Sequence, residues 1–219
     1  MKLILAFAIP LSAQVASEAN ASYKNPENRQ RMIGTLDGSH RDARQKPKEL
    51  VAALRITKTM AVADIGVGPG YMLPHFSEAA GMVYAEDIFP DFLARAKQKA
   101  AELKLMNVEF VLGDEKSPKL PAGALDLAFI LDAYHHFDYP ESMLAGIRAG
   151  LRAGGRLAIV DYYKRRNAMS NPSNPDFAIT HIRLDDKDVI KEVEANGFKL
   201  VEHREFLAGS QYLAVFEKR

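Results

Sequence analysis

The chain contains no cysteine. Disulfides, thiolate metal sites and a cysteine nucleophile are therefore excluded together. It also lacks an excess of either charge: 29 Lys and Arg face 28 Asp and Glu, a net charge of +1. A balanced chain gives no electrostatic case for nucleic acid or an anionic membrane as principal partner. No run of like charge and no low-complexity tract breaks the sequence. What is present is ordinary globular material: 219 residues, 47% hydrophobic and 26% charged. That length supports one sizeable core and one or two domains.

The first residues are unusual. Lys2 is followed by an apolar run from Leu3 to Leu11 and then by small and polar residues up to Ala19-Asn20-Ala21. A basic start, a short apolar core and a small-residue tripeptide fit a secretory signal peptide over residues 1–21, and hence an exported protein. The apolar run is too short for a stable membrane span. The alternative is an apolar N-terminal element packed on a cytoplasmic domain. Residues 22–47 are polar with little apolar periodicity, and are expected to form a linker or lid. Pro47 is placed to open a helix that carries Leu50, Val51 and Leu54 on one face.

From there strands and helices alternate. Strands are expected at 60–64, 82–86, 108–112, 125–131 and 156–162, each a nearly continuous apolar run. Such runs suit parallel strands covered on both faces. Helices are expected from Tyr71 to Ala80, from Pro90 to Leu105, and from Pro140 to Gly154 with Asp138 as its cap. A loop over 163–180 precedes a further helix ending at Gly197, capped by Asp185 or Asp186. Phe198 to Phe206 and Gln211 to Lys218 are separated by only four residues, which demands an antiparallel hairpin. The fold class is therefore α/β, a Rossmann-like doubly wound seven-stranded sheet, mostly parallel with an antiparallel C-terminal hairpin.

The segment Val62-Ala63-Asp64-Ile65-Gly66-Val67-Gly68-Pro69-Gly70 joins the first strand to its helix. Alternate glycines let the backbone turn sharply and approach a ligand. The spacing Asp-x-Gly-x-Gly-x-Gly differs from the Gly-x-Gly-x-x-Gly of dinucleotide enzymes. With the alternation of strands and helices and the closing hairpin, it resembles the class I methyltransferases that use S-adenosylmethionine, over roughly residues 48–219. The resemblance implies that the loop of Gly66, Gly68 and Gly70 wraps the methionine part of that cofactor, with Asp64 close by. Asp87, or alternatively Glu86, is implied at the ribose hydroxyls, where a carboxylate accepts two hydrogen bonds. Asp114 is implied at the adenine amino group, and Asp132 near the cofactor's own amino group. Leu151 to Asp161, with its Gly154-Gly155 turn, matches a structural hallmark of the family.

Asp132-Ala133-Tyr134-His135-His136-Phe137 falls where the resemblance places the transferable methyl group. His135 is the first candidate for a general base or substrate orienter, ahead of His136, because histidine titrates near neutrality. The alternative for both is packing and capping. Asp161, Tyr162, Tyr163 and His181 either line a substrate pocket or hold the loop. Adjacent side chains are expected to diverge, no third ligand stands at fixed spacing, and His181 and His203 lie far along the chain. No metal is expected on those grounds. The absence of cysteine argues against the arsenite-methylating branch, and no Asn-Pro-Pro-Tyr-type run follows strand four. A small-molecule methyl acceptor is the expected substrate. The alternatives are a non-catalytic cofactor-binding domain and a nucleotide-dependent oxidoreductase on a related fold.

Overall fold

The computed structural model describes residues 16–38 and 41–219. Seven strands form one sheet in the order β3-β2-β1-β4-β5-β7-β6. They are β1 (Ala61–Ile65), β2 (Met82–Asp87), β3 (Val108–Leu112), β4 (Leu125–Leu131), β5 (Leu151–Tyr162), β6 (Phe198–Leu207) and β7 (Gln211–Lys218). All pairings are parallel except those of β7, which runs antiparallel to β5 and β6. The mixed sheet expected from the apolar runs and the four-residue hairpin is thus present.

Alternation along the strands builds two cores. Ala63 and Ile65 of β1, Ala128 and Ile130 of β4, and Leu157 and Ile159 of β5 face one side. Val62, Phe129, Ala158 and Val160 face the other. The first core is closed by α6 (Pro140–Gly150) and α8 (Asp186–Ala195), through Met143, Leu144, Ile147, Val189 and Val193. The second is closed by α3 (Pro47–Ala53), α4 (Leu73–Ala79) and α5 (Pro90–Glu102), through Leu50, Phe76, Leu93 and Ala96. Apolar residues at helical spacing put each helix's stripe on the sheet.

β5 begins earlier than the sequence suggested. It starts at Leu151, which pairs with Leu125, and a register shift between Leu125 and Leu127 absorbs the Gly154-Gly155 pair inside the strand. Gly154 takes φ +71°, and a side chain on Gly155 would lie 3.0 Å from two carbonyl oxygens. The glycines therefore mark a bulge, not a helix end. Two expected caps also differ. Asp138 bonds Asn20 instead of capping α6, and Asp185 accepts from the Lys164 backbone N–H instead of capping α8.

The largest correction concerns residues 22–47. They form a 3₁₀ turn (Ala21–Lys24), α1 (Pro26–Asp37) and α2 (Asp42–Gln45). Asn25 caps α1 by accepting from the Glu27 and Asn28 N–H groups, and Pro26 occupies its first position. No apolar stripe fastens this segment. Ion pairs fasten it together with the Tyr23 ring, which packs on Phe89 and Phe92: Arg29 pairs with Asp91 at 2.8 Å, and Asp37 with Arg95 and Lys99 of α5. Residues 1–15, which hold most of the signal-peptide expectation, lie outside the described residues. Residues 16–21 are packed: Ala16 and Ala19 are buried, and Asn20 bonds the turn after β4. No helix among the described residues is long and apolar enough to cross a membrane.

Candidate active site

The strand order reverses between β1 and β4, each of which feeds its chain to opposite sides of the sheet. Ligands of open α/β sheets bind at such a point, beyond the carboxyl ends of the strands. A pocket lies there. Its floor is Asp64 to Gly68, its sides are Glu86 to Phe89, Leu131 to Ala133 and His136 to Asp138, and its roof is Asn20, Tyr23, Lys24, Leu36 and Arg41. Most of the roof comes from the polar segment 22–47, for which a linker or lid was expected, and Tyr23 packs on Phe89, Phe92 and His136.

Gly66, Gly68 and Gly70 all adopt positive φ, at +71°, +53° and +89°. A side chain on Gly66 would meet the Ala133 Cβ at 2.9 Å, whereas the space beside Gly68 is open. The loop is therefore drawn against the β4 tip on one side and presents bare backbone on the other.

Four carboxylates converge. Asp64, Glu86 and Asp87 are buried, and Asp132 is partly so. Burial is the main cause that raises each of them, bringing Asp64 to about 7 and Asp87 and Asp132 to about 6. Neighbouring acids add to this at Asp64 and Glu86, while the Gly68 and Phe89 N–H groups oppose it at Asp87. Asp87 accepts from Gly68 N–H at 2.8 Å and Phe89 N–H at 2.9 Å. Glu86 accepts weakly from Gly66 N–H at 3.4 Å, and its Oε1 has no partner. Both acids reach the pocket because it sits over the strand's end, so neither of the two sequence alternatives drops out.

A family model described as a methyltransferase domain matches residues 63–159. That match, together with the fold, supports a class I S-adenosylmethionine-dependent methyltransferase domain over those residues.

Its relatives span a range of chemistries. Over 135 residues it is 25% identical to the S-adenosyl-L-methionine-dependent Diels-Alderase iccD of Talaromyces variabilis, covering 60% of this chain and 46% of that one. It is 28% identical over 132 residues to the uncharacterized methyltransferase YcgJ of Bacillus subtilis (60% and 50%). The chain spans about half the length of these curated relatives. The crystal structure of an S-adenosylmethionine-dependent methyltransferase from Aquifex aeolicus shares the fold, with a TM-score of 0.76 at 22% identity over 85% of this chain and 97% of that one.

S-adenosylmethionine is the cofactor that this family implies. The pocket fits it on its own evidence: open backbone at Gly68, an unpartnered buried oxygen on Glu86, and an excess of buried carboxylates that favours a ligand with cationic sulfonium and ammonium groups. Asp114 lines the pocket but is exposed. Its carboxylate accepts from Lys116 N–H and pairs with Lys119 at 3.1 Å, and both hold its acidity on the strong side of normal.

Asp132 takes φ +54° and is gripped from three directions. Arg41 donates to it at 3.0 Å, Gln45 at 2.5 Å, and Gln211 donates to its other oxygen. These three partners come from α2, its preceding residue and β7, which no local pattern could reveal. The Arg41 guanidinium also lies 4.4 Å over the Tyr71 ring, and Tyr71 donates to Asp42. Asp132 is thus the tie that holds the roof to the sheet.

The histidines are arranged differently from expectation. His135 is buried and does not line the pocket; its Nδ1 and backbone N–H both bond Asp161, at 2.7 and 3.0 Å. His136 is the one that lines the pocket, and burial holds it well below the usual histidine range. The two rings do not diverge. Both sit on the 3₁₀ turn Tyr134–His136, not on a strand, and their centroids are 4.1 Å apart. His181, on α7 (Phe177–His181), joins them at 5.2 and 5.3 Å. The geometric ground for expecting no metal therefore fails. The loop before α7, expected over the site, contributes none of the pocket's lining.

Raised carboxylates make a pH prediction. Folded Asp64, Asp87 and Asp132 hold protons up to about pH 6–7, whereas the unfolded chain releases them near 3.8. The folded state thus binds more protons in that window, and stability falls as pH rises through it. The ligand-free protein is expected to melt several degrees lower at pH 8 than at pH 5.5. S-adenosylhomocysteine should raise the melting temperature more at pH 8, because its hydroxyls and ammonium bind the ionised acids. Thermal melts with and without this ligand at both pH values check it. A ligand-induced rise that is larger at pH 5.5 would refute this account of the acids.

Proposed function

We propose that the protein transfers the methyl group of S-adenosylmethionine to a small-molecule acceptor. The observation that carries this reading is the pocket at the β1–β4 reversal, where the glycine loop and four carboxylates converge. When bound, the cofactor supplies an electrophilic sulfonium methyl. Asp87 and Glu86 would hold its ribose, Asp64 and Asp132 its methionine end, and Asp114 marks the adenine side of the rim. The chain's own contribution is alignment and exclusion of water. Tyr23, Phe89, Phe92 and Leu36 close an apolar roof and wall around charge that disappears as the methyl leaves.

The concave, partly apolar pocket and the chain's balanced charge suit a small acceptor better than a nucleic acid. Incubating the purified chain with methyl-labelled S-adenosylmethionine and a panel of small acceptors should yield S-adenosylhomocysteine together with a labelled product. A second reading is favoured by the relative named a Diels-Alderase: the cofactor would be bound without giving up its methyl. Saturable cofactor binding with no S-adenosylhomocysteine formed across the panel supports that reading over methyl transfer.

A further inference from the structure

We propose that His135, His136 and His181 form a binding site for a divalent transition-metal ion of the zinc class, at the wall of the cofactor pocket. One ring nitrogen from each lies within 4.8 Å of the other two. The decisive observation is how the other nitrogens are occupied. Asp161 is a carboxylate and can only accept, so the His135 Nδ1 at 2.7 Å carries the proton. The Asn20 Nδ2 donates to the His136 carbonyl at 2.8 Å and to Asp138 at 3.1 Å. That orientation makes Asn20 Oδ1 the acceptor at 2.7 Å, so the His136 Nδ1 is also protonated. Both rings are therefore fixed in the tautomer that leaves the Nε2 lone pair free.

This is the outer arrangement that metal-bound histidines require: the non-ligating N–H held by a carboxylate or a carbonyl oxygen. Asp161 is buried and also accepts two backbone N–H groups, so it is rigid. His181 has no hydrogen-bond partner among the described residues' side-chain bonds and stacks on Phe177 at 4.7 Å. Tetrahedral zinc with nitrogen at about 2.0–2.1 Å sets ligand nitrogens about 3.3 Å apart, so nitrogens that lie within 4.8 Å of one another must close by up to about 1.5 Å. His181 supplies that movement, since α7 is five residues long and sits in a loop. Three imidazoles with no cysteine select zinc, copper, nickel or iron over calcium or magnesium.

Three protein ligands leave a coordination position open, as in catalytic sites. His136 lines the pocket, so that position is available to a water or to an oxygen of the acceptor. Bound there, an acceptor hydroxyl would lose its proton more readily and need no side-chain base. This last role rests on the methyltransferase reading; the ion's binding does not.

The test uses the full chain without a histidine tag, stripped by chelator. Zinc sulfate is titrated by calorimetry and cobalt chloride by visible absorption. One equivalent of zinc should bind, and cobalt should show the intense bands of low-coordinate nitrogen ligation. Asp161→Asn should weaken zinc binding about 10–100-fold, and His181→Ala by more than that. His181→Ala should still bind S-adenosylhomocysteine like the parent protein, which shows that it has folded. Zinc binding that is absent, or identical in parent and His181→Ala proteins, overturns the site. Zinc binding with no S-adenosylhomocysteine binding by the parent sinks the methyltransferase reading and leaves the metal site standing.

Discussion

Replacing Asp132 by alanine is expected to lower the folding stability by about 3–5 kcal/mol, a fall in melting temperature of roughly 10 °C. The side chains of Arg41 and Asp132 are only 8% and 16% exposed. Removing the acid leaves a buried guanidinium without its counter-charge and strips the Gln45 and Gln211 amides of their acceptor. The Gln45 and Gln211 side-chain oxygens already lack partners, so nothing nearby compensates. Alanine is also strained at φ +54°, where Asn and Asp are tolerated. Asp132→Asn should therefore lose less than half as much. Arg41→Met, added to Asp132→Ala, should recover part of the loss by removing the stranded charge. Chemical denaturation of the three variants decides the matter, and a loss below about 1 kcal/mol in Asp132→Ala would mean the tie is ornamental.

Asp87→Asn is expected to weaken S-adenosylhomocysteine binding about 100-fold while leaving the protein folded. A carboxylate offers about four acceptor positions, and the Gly68 and Phe89 N–H groups use two. The remaining two suit the paired hydroxyls of a ribose. Asparagine offers one oxygen and turns an NH₂ against a backbone donor. A 100-fold loss is about 2.7 kcal/mol, within reach of one or two charge-assisted hydrogen bonds. Without ligand, the neutral side chain no longer suffers the burial that raises Asp87 to about 6, and this offsets the lost backbone bond. The melting temperature at pH 8 should stay within a few degrees of the parent. Calorimetric affinity within about threefold of the parent would transfer the ribose role to Glu86.

The sheet was legible because its signals are local. Val62 to Ile65 and Leu125 to Leu131 are apolar runs bounded by turn residues, and the four residues between β6 and β7 permit only a hairpin. The acids at Asp64, Glu86, Asp87 and Asp132 were legible for the same reason, since each stands at a strand tip. The roof was not. Periodicity detects apolar stripes, and the buried residue of α1 is an arginine whose partner is 62 residues away. The cue that was present, Asn25 before Pro26, marks a helix start but says nothing of where the helix docks. The histidines failed for a different reason. Divergence of neighbours is a property of strands, and a 3₁₀ turn cancels it.

Asp132 also orders events during synthesis. Its grip needs Gln211, at the first position of the last strand, and Arg41, 91 residues before it. β7 lies between β5 and β6, so β6 leaves the ribosome before the strand that joins it to the sheet exists. A nascent chain stopped short of Gln211 holds every glycine and every acid of the pocket, yet has an unfinished sheet and a roof with one fastening missing. The fully fastened pocket therefore exists only once β7 has been synthesised.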